Sequence, residues 1–272
     1  ALQLRDEHGY TFIHPLDDEN VIAGQGTIGL ELLDQLPDVE AVVVPVGGGG
    51  LISGVAYAVK SLNPNVKVYG VQASGAPSMV NSLHDHKQEK LAKVSTIADG
   101  IAVKEPGSVT FDICSRYVDD IVTVSEDEIC AAILHLIESE KMVAEGAGAA
   151  SVAAVMFNKV PVKGKKTICV VSGGNIDVTI LSRVINRGLA KSGRICTLII
   201  ELADKPGQLL KVCQVIAAQG GNIVSVYHER NNDSKKVTDC VLRLSVETKN
   251  QEHVESITKA LTDNGLKIRE NI

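Results

Sequence analysis

The run Pro45-Val46-Gly47-Gly48-Gly49-Gly50-Leu51 is the part of the chain best suited to chemistry. Without a Cβ, consecutive glycines turn their amides inward and approach a ligand closely. The residues that follow, LISGVAYAVKSLNPN, repeat apolar positions at helical spacing and stop at Asn63-Pro64. A helix there adds free amides and a positive dipole end, so loop and helix together form a cradle for a phosphate group. No Lys-Ser/Thr follows the glycines, which excludes the ATP-type loop, and G-x-G-x-x-G spacing is missing, which weakens a dinucleotide reading. The plain alternative is a strand-to-helix turn that binds nothing, for which four successive glycines at a helix start are costly.

Three other stretches have types and spacing that fit a ligand site. Ser172-Gly173-Gly174-Asn175 closes an apolar run, and a hydroxyl at the carboxyl end of a strand is placed to bond a heteroaromatic nitrogen. Taken alone, the plain reading is the better one: a strand-to-helix turn with an Asn cap. Val21 to Gly29 (VIAGQGTIG) reads as a glycine-punctuated turn entering a helix at Ile28, or as close packing. Glu145 opens a helix with two glycines nearby, as a bound group's neighbour or as a first-turn acid complementing the dipole.

The elements that must position these residues follow from periodicity. Ala41 to Val46 and Thr167 to Val171 are short β-branched apolar runs, which predict buried strands. With Lys67 to Ala73 (KVYGVQA) the first of them frames a strand-helix-strand unit of a parallel sheet. Gln72 to Gly107 reads as polar and loop-rich, around SGAPS, HDHKQEK and the segment Thr96 to Gly100. Ile121 to Val124 predicts a strand, and Ser125 with Glu128 a capping box opening a helix through ICAAILHLIESEK. A small-residue helix is expected from Glu145 and a further helix from near Ile176.

The pattern changes near Leu189, with a joint at Lys191-Ser192-Gly193-Arg194. Strands are then expected at Ile195 to Leu202, Asn222 to Glu229 and Val237 to Val246, and a short one at the end. Helices are expected at Gln208 to Gln219 and Gln251 to Asn264, with turns at Asp204 to Gly207 and Asn231 to Ser234. The order βαββαβ is a split-βαβ sandwich, a complete domain.

Composition narrows the classes. Of 272 residues 44% are hydrophobic and only 3% aromatic, so the core is built from Val, Ile, Leu and Ala, which suits parallel strands covered on both faces. A net charge of -6 gives no footprint for nucleic acid. No stretch approaches a membrane span, and the start, ALQLRDEHGYTF, has no signal layout. The six cysteines contain no C-x-x-C pair, which reads as reduced thiols of a cytoplasmic protein. His84 and His86 flank Asp85 in a charged loop and are expected to be solvated, so no metal site is predicted.

Six segments occur in one order: HPLDDENVIAGQGTIGLE, VVPVGGGGLISG, TIADGIAV, VDDIVTVSEDEI, EGAGA and VVSGGNID. Together they resemble the threonine dehydratases of the fold-type II pyridoxal-phosphate (PLP) family, most nearly the catabolic type. The tail, with ADKPGQL and GGNI, resembles an ACT regulatory domain. The resemblance implies an α/β fold: the parallel-sheet large domain, incomplete, over residues 1–190, and a ferredoxin-like ACT domain over 191–272. It implies PLP as cofactor, with Gly47, Gly48, Gly49, Gly50 and Leu51 around its phosphate. Ser172 would face the pyridine nitrogen, Gly100 would lie near cofactor and substrate, and Glu145 at the cofactor's edge. A neutral partner to the ring nitrogen tempers the electron sink. In the tail, Asp204, Gly207 and Asn222 fall where related domains meet a small amino acid at an interface between copies, which implies an effector and a homo-oligomer.

The departures are as informative. The family's Schiff-base lysine stands in a Ser-x-Lys-x-Arg-Gly segment, and its substrate-carboxylate loop is of the Ser-x-Gly-Asn-His type; neither occurs here. Lys60 and Lys67 stand in the wrong context. A chain that opens on Ala1 and lacks both segments is expected to be a fragment or processed chain, inactive by itself. Related serine racemases carry metal-ligating acids at positions equivalent to Gln72 and Ser78, and both are neutral here. The expected activity of the parent is dehydration and deamination of L-threonine, with L-serine as a second substrate, to a 2-oxo acid and ammonia. The alternative is a non-catalytic regulatory or oligomerisation module that binds an amino acid. A nucleotide-binding α/β domain is the third reading.

Overall fold

The computed structural model describes residues 2–230 and 239–271. The expected turn at Asn231 to Ser234 and the start of a strand at Val237 lie outside the described residues. The chain divides into two compact units, Ala1–Leu181 and Ser182–Ile272.

The first unit opens with α1 (Leu2–His8), α2 (Glu19–Gln35), β1 (Ala41–Pro45), α3 (Gly50–Leu62), β2 (Lys67–Ala73) and α4 (Ser78–His84). A 3₁₀ turn (Asp99–Ile101) follows, then α5 (Ser108–Tyr117), β3 (Asp120–Val124) and α6 (Glu126–His135). A π turn (Leu136–Glu140) leads to α7 (Gly146–Met156) and β4 (Thr167–Cys169). The four strands form a parallel sheet in the order β3-β2-β1-β4. All of β1 is buried, as is β2 after Lys67, the mark of strands covered on both faces. From β1 the chain moves to β2 and β3 on one side, while β4 returns to the other. The carboxyl ends of β1 and β4 therefore flank the point where strand order reverses, where open α/β sheets take ligands.

Two expectations need correction. Val21 to Gly29 is not a turn: α2 already runs from Glu19, because the Asp18 carboxylate caps it by accepting from the amides of Asn20 and Val21. Its glycines serve packing against α3. A Cβ on Gly29 would lie 3.0 Å from the Val55 carbonyl, and one on Gly54 would lie 2.2 Å from that of Ile22. The stretch from Gln72 to Gly107 is also more ordered than its polarity suggests, since it holds the end of β2, α4 and the 3₁₀ turn. The capping box of Ser125 and Glu128 is formed.

The helix α8 (Val178–Lys191) starts in the first unit and ends in the second, two residues beyond its expected start near Ile176. The second unit continues with β5 (Ile195–Ala203), α9 (Gln208–Ala218), β6 (Asn222–Glu229), β7 (Asp239–Glu247), α10 (Gln251–Asp263) and β8 (Lys267–Asn271). The sheet is antiparallel, in the order β6-β7-β5-β8. Burial alternates along β5, so one face looks inward. There Leu198, Ile200, Leu242 and Leu244 pack with Val212 and Ile216 of α9 and Val254, Ile257 and Leu261 of α10. This is the expected βαββαβ sandwich. Among the described residues no helix is long and apolar enough to cross a membrane.

Candidate functional site

A cavity of about 680 Å³ opens at the carboxyl ends of β1 and β4. All eight residues expected around a cofactor line it: Gly47, Gly48, Gly49, Gly50, Leu51, Gly100, Glu145 and Ser172. Glu145 is the one charged residue in the lining, and no lysine contributes to it among the described residues.

The loop's carbonyls show how its amides are aimed. In a trans peptide the C=O of one residue and the N–H of the next point in opposite directions. Gly47 O accepts from the Gln72 side-chain amide at 3.2 Å. Gly48 O accepts from the Thr110 hydroxyl at 2.6 Å and from the Gly107 amide at 3.2 Å. Gly49 O accepts from Ser53 N, the first bond of α3. Each bond turns the following amide, of Gly48, Gly49 and Gly50, away from these partners. Among the described residues the amides of Gly47 to Leu51 donate to no protein acceptor. Buried amides are nearly always paired, so a run of free donors along a cavity wall fits an anion bearing several oxygens.

The space beside two of these glycines is already taken, and one of them has a left-handed backbone. Gly49 sits at φ +100°, and a Cβ on it would lie 2.6 Å from Met79 Cε. A Cβ on Gly48 would lie 2.5 Å from Leu16 Cδ2. Leu16 is held by its neighbour Asp17, whose carboxylate accepts from Ser108 N, Val109 N and Thr110 N at 2.9 to 3.2 Å and from the Ser108 hydroxyl. Gly107 is the N-cap of α5 and has no side chain to offer, so Asp17 caps that helix from 91 positions away. Burial works to raise the Asp17 pKa, but the bonds from Thr110, Ser108 and Val109 outweigh it and hold it below the ordinary 3.8.

On the opposite wall, Glu145 N donates to Gly173 O at 3.1 Å, and a Cβ on Gly148 would lie 2.4 Å from that same oxygen. The Ser151 hydroxyl donates to Val170 O at 2.7 Å. These contacts seat the SGGN turn on the start of α7 and leave Ser172 exposed on the cavity side. The Glu145 carboxylate stands beside Gly100 and Gly173, where added Cβ atoms would lie 3.4 and 2.4 Å from Oε1.

Sequence reasoning passed over Gln72 as a positioning group. It is fully buried, its oxygen accepts from Met79 N and Val80 N at 2.9 Å, and its nitrogen serves Gly47 and Ser78. A polar residue inside the otherwise apolar run that follows Lys67 was the available signal. Lys60 and Lys67 both pair with Asp119, at 2.6 and 2.8 Å, and neither lines the cavity.

In the second unit Asp204 and Gly207 line a cavity of about 470 Å³ with His228, Arg230 and Cys240. Gly207, at φ +86°, makes the turn into α9. Asn222 lies at the other end of the sheet, donating to Glu247 at 2.7 Å. The structure therefore does not bring Asn222 to Asp204 within one chain. His84 is exposed and bonds its neighbour Asp85 at 2.6 Å.

Comparison with known proteins matches this architecture. Residues 1–174 fit the family described as pyridoxal-phosphate dependent enzyme, and residues 192–264 fit the ACT domain. The chain is 51% identical over 269 residues to an L-threonine ammonia-lyase of Thermotoga maritima, covering 99% of this chain and 67% of that protein. It is 46% identical over 184 residues to the catabolic L-threonine dehydratase TdcB of Escherichia coli K12, covering 67% of this chain and 56% of the relative. A solved structure, the processed form of threonine deaminase isoform 2 from Solanum lycopersicum, superposes with a TM-score of 0.66 at 42% identity. That match covers 69% of this chain and 55% of the tomato chain. The chain thus spans about two thirds or less of the length of these relatives. With a matching family profile over its first 174 residues and the glycine cradle at the switch point of its sheet, the chain belongs to the pyridoxal-phosphate dependent enzyme family and carries an ACT domain.

Proposed function

We propose that the complete protein is a PLP-dependent threonine ammonia-lyase. It converts L-threonine, and L-serine as a second substrate, to a 2-oxo acid (2-oxobutanoate from threonine) and ammonia. Residues 1–190 are the catalytic portion and 191–272 the regulatory domain. The observation that carries the reading is the set of free amides from Gly47 to Leu51 facing a cavity shared with Ser172 and Glu145.

PLP, when bound, supplies an electron sink for breaking bonds at an amino acid's α-carbon. The chain's own residues bind and orient. Gly47, Gly48, Gly49, Gly50 and Leu51 hold the phosphate through neutral donors and the start of α3. The Ser172 hydroxyl would serve as a neutral hydrogen-bonding partner for the ring nitrogen, which tempers the electron sink. Gly100 would lie near cofactor and substrate and Glu145 at the cofactor's edge, in a cavity also lined by the apolar side chains of Leu16, Ile28 and Val103. The test is formation of 2-oxobutanoate from L-threonine by the complete protein supplied with PLP. Absence of the keto acid rejects the reading.

The second reading, an amino-acid-binding module without catalysis, is favoured by the lack of a lysine in the cavity wall among the described residues. This chain with PLP and threonine would then yield no keto acid yet still bind an amino acid in calorimetry.

For regulation we propose an amino-acid effector at the ACT domain. Asp204 and Arg230 offer opposite charges beside one cavity, matching an ammonium and a carboxylate. Asn222 stands at the far end of the sheet, so we propose that it would join that ligand only from a second copy of the chain, in a homo-oligomer. Asp204→Ala is expected to blunt the amino-acid response and leave basal turnover intact; loss of basal turnover would assign the tail a structural role. None of the six cysteines is in a disulfide, which suits the cytoplasm.

A further inference from the structure

Three side chains able to hold a transition metal meet at one end of the second unit's sheet. β5 and β6 flank β7 and run antiparallel to it, so their carboxyl ends meet its start. Leu202 pairs with Cys240, and His228 pairs with Leu242. Directly paired residues share a face, and so do residues two apart on a strand. His228 and Cys240 therefore look to the same side of the sheet, and Asp204, two residues past Leu202, follows just beyond β5. Cys240 is 2% exposed and forms the floor of this corner, while Asp204 and His228 are exposed at its rim. One ligand atom from each of the three lies within 4.8 Å of the others.

We propose that Asp204, His228 and Cys240 form a site for a divalent transition metal of the zinc type. Ligands about 2.0–2.3 Å from a tetrahedral zinc stand about 3.3–3.8 Å apart, so closing the set takes a rotation of about 1 Å in the two rim side chains. A thiolate and an imidazole disfavour magnesium and calcium, which want oxygen, and favour zinc or its neighbours. Three protein ligands leave a fourth position, which opens into the cavity of about 470 Å³ that all three line. The competing cation is Arg230, whose Nε is 3.4 Å from Asp204 Oδ2. That exceeds a charge-assisted hydrogen bond, so the contact yields to a metal. The ligands stand 24 and 12 positions apart in sequence, a spacing that carries no local pattern. The site shares Asp204 and this cavity with the effector pocket proposed above, so a metal and an effector's ammonium compete for that carboxylate, and metal binding itself needs neither PLP nor threonine.

The experiment titrates the whole chain, stripped with a chelator, with Co²⁺ alone. One equivalent is expected to bind, with the near-ultraviolet thiolate-to-cobalt band and the visible bands of a tetrahedral ion, and Zn²⁺ is expected to displace it. Cys240→Ser removes the thiolate band, and Cys213→Ser, outside the cluster, keeps it. Asp204→Asn and His228→Gln alter exposed positions and lower cobalt affinity by about 10-fold or more. Arg230→Gln leaves the affinity equal or higher. The proposal is overturned by a missing thiolate band, by a band that survives Cys240→Ser, by unchanged affinity in both rim variants, or by weaker binding in Arg230→Gln.

Discussion

The side-chain amide of Gln72 donates to the carbonyl oxygen of Gly47 at 3.2 Å, and that bond sets the direction of the next amide in the cradle. Gln72→Glu keeps the shape but exchanges the donor for an oxygen that repels the carbonyl. The first unit is expected to lose about 1–3 kcal/mol in urea unfolding, the cost of an unmade buried hydrogen bond. PLP affinity, read by cofactor fluorescence, is expected to fall with it. Unchanged affinity would remove Gln72 from the cradle's support.

Glycines of the loop differ in what they tolerate. Gly48→Asp puts a carboxylate into the phosphate position and drives a Cβ against Leu16, so PLP binding is expected to vanish. Gly49→Ala meets both a left-handed backbone and Met79, whereas Gly164→Ala, at φ +78° with nothing within 4 Å, meets the backbone term alone. The second change is expected to cost about 1–2 kcal/mol and the first more. Thermal unfolding of the pair separates the two contributions.

Asp17 gives the loop a pH signature. Its pKa is lowered in the folded chain and returns to about 3.8 on unfolding. The stabilisation is therefore complete above that value and is lost as pH falls through the lower, folded one. Asp17→Ala is expected to cost about 1–2 kcal/mol at pH 7, the size of a lost helix cap, with the difference from the parent shrinking in strong acid. Urea curves at pH 7 and pH 3 decide this; a gap that persists or widens in acid refutes it.

Close approach of α2 and α3 depends on Gly54. Gly54→Ala would set a Cβ 2.2 Å from Ile22 O and 2.6 Å from Gly26 N, both backbone atoms that cannot swing aside. A loss of about 1–3 kcal/mol or more is expected in denaturant titration, the range for overpacking. Gly24→Ala, with nothing within 4 Å, is the control and is expected to hold or raise stability.

Much of this architecture was legible because its signals are local. β2 reads as the apolar run KVYGVQA, the capping box stands within four residues, and β5 reads as the apolar run ICTLIIEL. What escaped notice depends on distance. α5 lacks a cap of its own and takes one from Asp17, so no start signal sits beside it. The glycines of α2 look like turn residues until α3 is packed on them. The eight residues expected around a cofactor gather in one cavity because each lies next to a strand end or helix start, places that sequence marks well. Asp204, His228 and Cys240 come from three strand ends, and only strand register joins them.

The cradle's wall has a consequence for how its ligand is held. The lining contains no Lys or Arg among the described residues, so a phosphate there is met by backbone dipoles rather than by counter-ions. Mobile ions weaken attraction between free charges over a screening length of about 8 Å at physiological ionic strength, but they act little on donors in direct contact inside a buried loop. Under the proposed function, grip on the cofactor would thus be insulated from salt, and selectivity would rest on the fit of phosphate oxygens to fixed N–H groups, a matter of shape rather than charge.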